Sequence, residues 1–166
     1  MSAALALLLF VTAQRLFELV LARRNTARLL EQGAVEIAPG HYPLIVALHA
    51  AWLASLWWFG ASQIISAPWF IAYVILQGLR VWILASLGER WTTRIISLAG
   101  ATLVQRGPYR FMRHPNYALV VAEIAVLPMA LHLPWVAVVF SILNALVLTI
   151  RIRAEEQALR PGNADT

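Results

Sequence analysis

The sequence predicts an all-α integral membrane protein with five transmembrane helices, the N-terminus outside, the C-terminus in the cytoplasm and a helical hairpin at the C-terminal end. Three observations predict it. Hydrophobic residues make up 61% of the 166 residues and charged residues 13%, whereas a soluble domain is nearer one half apolar and one quarter charged. The apolar residues fall in five stretches of roughly the length that crosses a bilayer. The arginines are concentrated in alternate connections between these stretches.

The five stretches are predicted as helices because none alternates with period two for long, as barrel strands do. The predicted spans cover residues 2–22, 43–60, 68–87, 115–131 and 134–151, all within one domain of residues 1–166, with a cytoplasmic loop at 88–114. The first stretch lacks the basic region of a signal peptide and continues past Arg15, so we interpret it as a retained span. Residues 131–134 join the last two spans as a tight hairpin.

The arginines set the predicted orientation. All 13 basic residues are Arg, against 8 acidic residues. Most follow the first and third spans or lie in the C-terminal tail: Arg23, Arg24, Arg28, Arg90, Arg94, Arg106, Arg110, Arg113, Arg151, Arg153 and Arg160. None lies at 61–67 or 131–134, so the positive-inside rule places those connections outside. An interfacial aromatic belt agrees, with Trp57, Trp58, Trp69 and Trp135 at the predicted outer ends and Trp91 at the inner end.

The composition also excludes several classes of function. The chain has no Cys, which excludes disulfides, thiolate catalysis and Cys-based zinc or iron–sulfur sites. The net charge of +5 is not gathered into the basic run that marks a nucleic-acid patch. We assign the excess Arg to membrane orientation and lipid contact. The predicted partners are therefore the membrane and a lipid substrate from the bilayer, not a nucleic acid.

Several predicted spans carry polar residues at similar depth: Gln14, Arg15, Glu18, His49, Gln77, Arg80, Glu123 and Asn144. Ionisable groups cost several kcal/mol in hydrocarbon unless they pair or line a cavity. Their shared depth predicts one polar pocket that opens to the cytoplasm. The alternative is structural: Arg15 and Glu18 neutralise each other at i, i+3, and Glu123 and Asn144 hydrogen-bond across the hairpin.

Two further segments carry chemistry, at residues 106–117 (RGPYRFMRHPNY) and 151–156 (RIRAEE). Pro115 suits the first position of a helix, which places His114 near the N-cap. Each leg of the hairpin then has about 17 residues and is roughly 25 Å long. Because the legs are antiparallel, we expect His114 and Tyr117 to lie level with residues 151–156 at the cytoplasmic interface.

This combination of side chains suits a ligand with both an anionic and a cationic end. The helix N-terminus, Arg113 and Arg151 favour a carboxylate or phosphate. A cation or a ribose is favoured by two carboxylates and two phenols, those of Glu155, Glu156, Tyr109 and Tyr117. S-adenosylmethionine has a carboxylate, a sulfonium and a ribose; a nicotinamide dinucleotide has less need of the Glu pair. The alternative is that ion pairs within 151–160 solvate the helix end and that the Arg-rich loop contacts lipid headgroups.

The motif GPYRFMRHPNY, followed by RIRAEE after a hairpin, resembles the isoprenylcysteine carboxyl methyltransferase family. The likeness covers residues 106–160, and the earlier segments RLFELVLARRN, GAVE, HYP and LH are similar to small bacterial members, some of which methylate phenolic or pyrone lipids from polyketide synthases. The resemblance implies a methyltransferase in a bacterial cytoplasmic membrane, with S-adenosylmethionine as cofactor and a lipid acceptor entering from the bilayer. By position, the residues implied in cofactor binding are His114, Tyr117, Glu156, Glu155, Arg113, Arg151 and Tyr109.

The acceptor and the catalytic residues are less determined. Ala118 and Leu119 stand where many members have Gly, which weighs against prenylcysteine as the acceptor more than against methyl transfer. The resemblance to the small bacterial members implies a phenol or pyrone hydroxyl as the first choice of acceptor and a prenylcysteine or other lipid carboxylate as the second. The candidates for orienting the acceptor are Arg80, Glu123 and Arg15. Two other classes stay open, a sterol-reductase-like enzyme that uses NADPH and a non-catalytic lipid-binding or scaffold protein.

Overall fold

The computed structural model describes residues 2–37, 39–98, 100–101 and 104–158, without the side chains of residues 41, 154 and 156–158. These residues form five α-helices, here α1 to α5: Ala3–Glu31, Tyr42–Gly60, Ala67–Leu87, Pro115–Ala130 and Pro134–Ala158. The helices coincide with the five predicted stretches, because long apolar runs without period-two alternation have no better way to satisfy their backbone in a membrane. α1 and α5 continue beyond the predicted spans, to residues 31 and 158.

The helix starts follow from local sequence. Ser2 caps α1, and its hydroxyl oxygen accepts a hydrogen bond from the Leu5 backbone N–H at 3.2 Å. Proline occupies the first turn of α3 and opens both α4 and α5, as Pro68, Pro115 and Pro134. Proline has no backbone N–H, so at these positions no helical hydrogen bond is lost.

Four of the described helices are long and apolar enough to cross a membrane: Ala3–Glu31, Tyr42–Gly60, Ala67–Arg90 and Pro134–Arg153. The remaining predicted span, 115–131, corresponds to α4, which has only 16 residues. At 1.5 Å per residue it is about 24 Å long, shorter than the roughly 30 Å of a typical hydrocarbon core. The protein is an integral membrane protein with four candidate spanning helices and one shorter apolar helix.

α4 packs between α3 and α5, and α2 lies against α5. At one end of the bundle α1, α3 and α5 end and α2 and α4 begin. We call this end the loop side, because the described residues of the connections 32–41 and 88–114 lie there. At the opposite end the connections are short, and the Ser66 N–H donates to the Ala130 carbonyl at 2.9 Å. The apolar core lies among the helices and includes Leu8, Val11, Trp52, Leu56, Tyr73, Ile124, Leu127 and Val136.

Two short strands link the long connections on the loop side. β1 (Val35–Glu36) pairs antiparallel with β2 (Ile96–Ser97), and the Ile37 N–H extends the ladder to the Ile95 carbonyl at 2.9 Å. The sequence does not predict these strands. They tie the segment after α3 to the connection between α1 and α2.

Trp91 departs from its predicted position in an interfacial belt. Only 4% of its surface is exposed, and it lies just after the turn Gly88–Arg90. Asn25 of α1 holds this turn, since its side-chain amide donates to the carbonyls of Gly88 and Trp91 at 3.2 and 2.9 Å. The prediction was wrong because the chain folds back over the bundle at this point, which turns the indole inward.

Candidate functional site

Tyr117 joins the start of α4 to the end of α5. Its hydroxyl donates to Glu155 Oε2 at 2.7 Å and accepts from Arg151 Nε at 2.9 Å. The Arg151 guanidinium also lies over the tyrosine ring, 5.2 Å from its centre. The structure thus brings together three of the residues predicted to bind the cofactor, which are 34 and 38 positions apart in sequence. We call these three residues the Tyr117 cluster.

His114 extends this cluster. It precedes α4 as its N-cap residue, and its ring stacks on that of Tyr117, with centroids 5.0 Å apart and planes within 5°. The imidazole makes no capping hydrogen bond. Pro115 has no N–H, and the Tyr117 N–H donates a hydrogen bond to the His114 carbonyl at 3.1 Å. The helix terminus therefore offers fewer free N–H groups to an anion than the sequence analysis expected.

The segment after α3 contributes a wall that sequence reasoning missed. Arg151 Nη1 donates to the Thr93 carbonyl at 2.9 Å, and the Thr93 hydroxyl donates to Tyr42 at 3.3 Å. Arg94 binds both carboxylate oxygens of Glu36, at 2.9 and 2.7 Å, and its guanidinium lies 4.5 Å from the centre of the Tyr42 ring. The hydrogen bond to Glu36 is the main reason that the pKa of Arg94 is raised. These contacts hold residues 93 and 94 against α2 and α5.

The other predicted cofactor residues are placed differently. Tyr109 is half-buried in the turn Gly107–Arg110, and burial, with smaller contributions from Tyr117 and Glu155, raises its pKa to about 12. Tyr109 therefore faces the Tyr117 cluster as a neutral phenol. Arg113 is exposed and makes no ion pair with the described residues. The side chain of Glu156 lies outside the described part of the structure.

A cavity of about 290 Å³ runs into the bundle from the Tyr117 cluster. Its lining is mostly apolar and comes from every helix of the bundle and from the segment after α3. The polar and aromatic lining residues include Arg15, Glu18, Tyr42, His49, Trp52, Arg80, Trp91, Thr93, Asn116, Tyr117, Asn144 and Arg151. A mainly apolar cavity with a few convergent polar groups is the usual form of a small-molecule site.

At one side of the cavity, four charged side chains form a closed network, which we call the ion network; three of them line the cavity. Arg15 bonds to Glu18 at 3.0 Å and to Glu123 at 2.7 Å. Arg80 bonds to Glu18 at 2.9 Å and donates hydrogen bonds to both carboxylate oxygens of Glu123. Two guanidinium groups are thus balanced by two carboxylates, as buried charges require.

Two amides complete the network. Gln14 donates to Glu18 Oε1 at 3.0 Å and to the Gln77 carbonyl oxygen at 2.7 Å, and Gln77 donates to Glu123 Oε1 at 2.9 Å. The three residues predicted to orient the acceptor therefore lie together but are paired with one another or with Glu18. Arg15 has 21% of its side chain exposed and Arg80 only 3%, and both line the cavity, whereas Glu123, at 1%, does not.

The predicted hydrogen bond between Glu123 and Asn144 is wrong. Glu123 turns toward Arg15, Arg80 and Gln77 instead. Asn144 lines the cavity, and its buried Nδ2 has no hydrogen-bond partner among the residues the structure describes. The indole nitrogen atoms of Trp52 and Trp91 and Oδ1 of Asn116, also from lining residues, are buried without partners in the same described set. Such groups are costly unless water or a ligand bonds to them.

The comparisons with known proteins identify the family. A profile of the isoprenylcysteine carboxyl methyltransferase (ICMT) family matches residues 68–161. YpbQ, an uncharacterised protein of Bacillus subtilis (strain 168), is 36% identical over 167 aligned residues, which cover 93% of this chain and 95% of the relative. An uncharacterised protein of Haemophilus influenzae is 25% identical over 159 residues, 90% of each chain. No solved structure matches the chain with statistical significance.

The fold and the family profile define a membrane methyltransferase, and the chain belongs to the ICMT family. The matched region begins within α3 and includes all of α4 and α5. It therefore contains the Tyr117 cluster and the Arg80 and Glu123 half of the ion network. Arg15 and Glu18, the other half, come from α1, which lies outside the matched region.

Proposed function

We propose that this protein is an S-adenosylmethionine-dependent O-methyltransferase that acts on a lipid held in the membrane. The favoured acceptor is the hydroxyl of a polyketide-derived phenol or pyrone; a prenylcysteine or another lipid carboxylate is the second choice. The observation that carries the proposal is the position of the Tyr117 cluster at the mouth of a mostly apolar cavity within the bundle. One ligand with charged ends and one apolar ligand can meet there.

The donor set at the Tyr117 cluster fits the proposed cofactor. Arg151 supplies a guanidinium for its carboxylate. Glu155 and the faces of two aromatic rings supply partners for a sulfonium and a ribose. Asn116 adds a buried acceptor that lacks a partner among the described residues. We propose that cofactor binding is shared by His114, Tyr117, Arg151, Glu155, Glu156, Arg113 and Tyr109.

The acceptor is proposed to enter the cavity from the bilayer. The apolar lining from α1, α2 and α5 suits an alkyl chain. Arg15, the most exposed member of the ion network, is the group we assign to orienting the acceptor. Arg80 and Glu123 fix Arg15 in place and act as positioning residues.

The proposed cofactor supplies a methyl group that is already activated for in-line transfer. The protein then has three tasks: to hold the two ligands in line, to exclude water and to accept a proton where the acceptor is a hydroxyl. The segment at residues 91–94 and the apolar cavity lining exclude water. A neutral ion network brings no net charge to the acceptor.

We place the loop side in the cytoplasm and the protein in a bacterial cytoplasmic membrane, with the N-terminus outside. The arginine distribution supports this orientation. The Tyr117 cluster would then face the compartment that contains the cofactor. Labelling of single cysteines introduced at residues 62 and 110 of this cysteine-free chain tests it, because only the first is expected to react with an impermeant reagent in intact cells.

Transfer of a labelled methyl group from S-adenosylmethionine to lipid tests the reaction. Bacterial membranes that contain the protein are incubated with the labelled cofactor, and the extracted lipids are analysed by mass spectrometry before and after treatment with alkali. We expect a labelled phenol or pyrone methyl ether that is absent with the Glu155→Gln variant. A labelled methyl ester, which alkali releases as methanol, would move the acceptor to a carboxylate, and no labelled lipid would contradict the proposal.

A further inference from the structure

His49 is a half-buried histidine in the middle of α2 whose imidazole lines the cavity together with Tyr117 and Arg151. Its Nδ1 atom lies 2.9 Å from the carbonyl oxygen of Ile45, one helical turn earlier. A carbonyl oxygen can only accept, so Nδ1 must carry the hydrogen. In the neutral ring the lone pair is then on Nε2. Nε2 has no hydrogen-bond partner among the residues that the structure describes.

The charged groups around His49 come from several helices. α1 supplies Arg15 and Glu18, α3 supplies Arg80, α4 supplies Glu123 and Tyr117, and α5 supplies Arg151. The two carboxylates are committed, since each of their four oxygen atoms already accepts at least one hydrogen bond within the ion network. The unpartnered indole and amide groups of the lining are not bases. Among the described lining residues, His49 is thus the base whose proton-accepting atom, Nε2, has no hydrogen-bond partner.

We propose that His49 is the general base for a phenolic hydroxyl acceptor, an inference that rests on the proposed function. Nε2 takes the hydroxyl proton while the acceptor oxygen bonds to the methyl carbon. The carbon–sulfur bond breaks, and its electron pair stays on sulfur as a neutral thioether. The imidazolium then returns its proton to water. A lipid carboxylate is already ionised and needs no base, so a free imidazole and a neutral ion network both favour a hydroxyl.

Two acceptors of different acidity test the role of His49. A long-chain 5-alkylresorcinol must lose a proton during transfer, whereas a long-chain 4-hydroxy-2-pyrone is already ionised at neutral pH. We expect His49→Gln to lower kcat for the resorcinol by about 100-fold or more, the usual contribution of a general base, and kcat for the pyrone far less. The resorcinol rate of the wild type should fall as the pH is lowered and His49 becomes protonated; the pyrone rate should stay constant over the pH range in which the pyrone remains ionised.

A control and a second readout separate this role from a structural one. His132→Gln, in the turn between α4 and α5 at the opposite end of the bundle, should leave both rates unchanged. Nitrogen-15 NMR of histidine-labelled protein, assigned by the loss of one signal in His49→Gln, should show the neutral Nδ1–H tautomer. That signal should shift on addition of the resorcinol but not of its dimethyl ether, without any cofactor present.

The possible results separate failure of the role proposed for His49 from failure of the proposed methyltransferase function. If His49→Gln methylates the resorcinol at the wild-type rate, or if the signal shows hydrogen on Nε2, His49 is not the base, although the methyltransferase proposal stands. If the wild type methylates only a lipid carboxylate, the hydroxyl acceptor is wrong and the role of His49 falls with it. If His49→Gln fails to fold, the NMR result on the wild-type protein decides, with the His49 signal assigned as the one that persists in single variants of the other three histidines.

Discussion

The Tyr117 hydroxyl lies 2.7 Å from a carboxylate oxygen of Glu155 and bridges it to the guanidinium of Arg151. This bridge exists because α4 begins and α5 ends at the same side of the bundle. Tyr117 and Arg151 line one cavity, and the bridge holds the Glu155 carboxylate beside them. The ends of an antiparallel hairpin thus create a mixed-charge site where neither helix alone would have one.

Removal of this hydroxyl is expected to weaken cofactor binding. Hydrogen bonds to charged groups are worth about 1.5–3 kcal/mol, so Tyr117→Phe should reduce the affinity for S-adenosylmethionine by about 10- to 100-fold. Tyr73→Phe is the matched control, because its buried hydroxyl has no partner among the described residues and it does not line the cavity. Calorimetric titration of both variants checks this. Equal losses in the two variants would contradict the role of Tyr117.

The planar guanidinium of Arg151 is expected to matter more than its charge. Nε and Nη1 contact two different groups, the Tyr117 hydroxyl and the Thr93 carbonyl, and a lysine ammonium cannot reproduce this geometry. Arg151→Lys should therefore lower the affinity for S-adenosylmethionine by about 10-fold, or about 1.4 kcal/mol. Arg153→Lys, two residues later and exposed, should bind as the wild type does. Similar binding by all three proteins would show that charge alone suffices.

The ion network is expected to be costly to break and inexpensive to replace. Glu123→Leu leaves two buried guanidinium groups short of a partner, and loss of one side of a buried pair costs about 3–5 kcal/mol. Arg80→Met combined with Glu123→Leu leaves Arg15 and Glu18 still paired at 3.0 Å. The double variant should therefore be more stable than Glu123→Leu alone, measured by unfolding in detergent. If the double variant loses as much stability as the single Arg80→Met and Glu123→Leu variants together, Arg80 and Glu123 are not coupled.

Gly107 is expected to be irreplaceable in the GPYR turn. Its φ is +58°, and a Cβ there would overlap the Ser86 hydroxyl oxygen. Gly107→Ala should destabilise the protein by about 2–5 kcal/mol, from about 1–2 kcal/mol of backbone strain and about 1–3 kcal/mol of overpacking. The turn also carries Tyr109, so cofactor binding should weaken too. Gly78→Ala, in α3 with open space around it, should unfold at or above the wild-type temperature; a loss there equal to that of Gly107→Ala would contradict this reasoning.

The sequence predicts the helices well because length and apolarity decide them. It also predicts that residues 114–117 meet residues 151–156, since two helices of similar length in a hairpin must end at the same level. The similar depth of Arg15, Arg80 and Glu123 in their predicted spans correctly indicates that these side chains lie together. Depth alone does not determine how each helix is rotated, which is why the sequence left open a hydrogen bond between Glu123 and Asn144 that the structure does not contain.

The wall at residues 91–94 could not be predicted from local sequence. Its position depends on a two-residue strand pair and on the contact between Arg94 and Glu36, 58 positions apart. Neither strand is long enough to show an alternating pattern. Trp91 was misplaced for the same reason, because an aromatic residue next to a span predicts an interfacial position unless the following chain covers it.

Calorimetric titration of S-adenosylmethionine into the detergent-purified protein, with NADPH as the parallel ligand, tests the central claim most directly. We expect micromolar binding of S-adenosylmethionine, no binding of NADPH, and loss of S-adenosylmethionine binding in the His114→Ala and Glu156→Ala variants. Binding of NADPH alone would move the protein to the reductase class. Binding of neither ligand, or wild-type affinity in both alanine variants, would contradict the site described here.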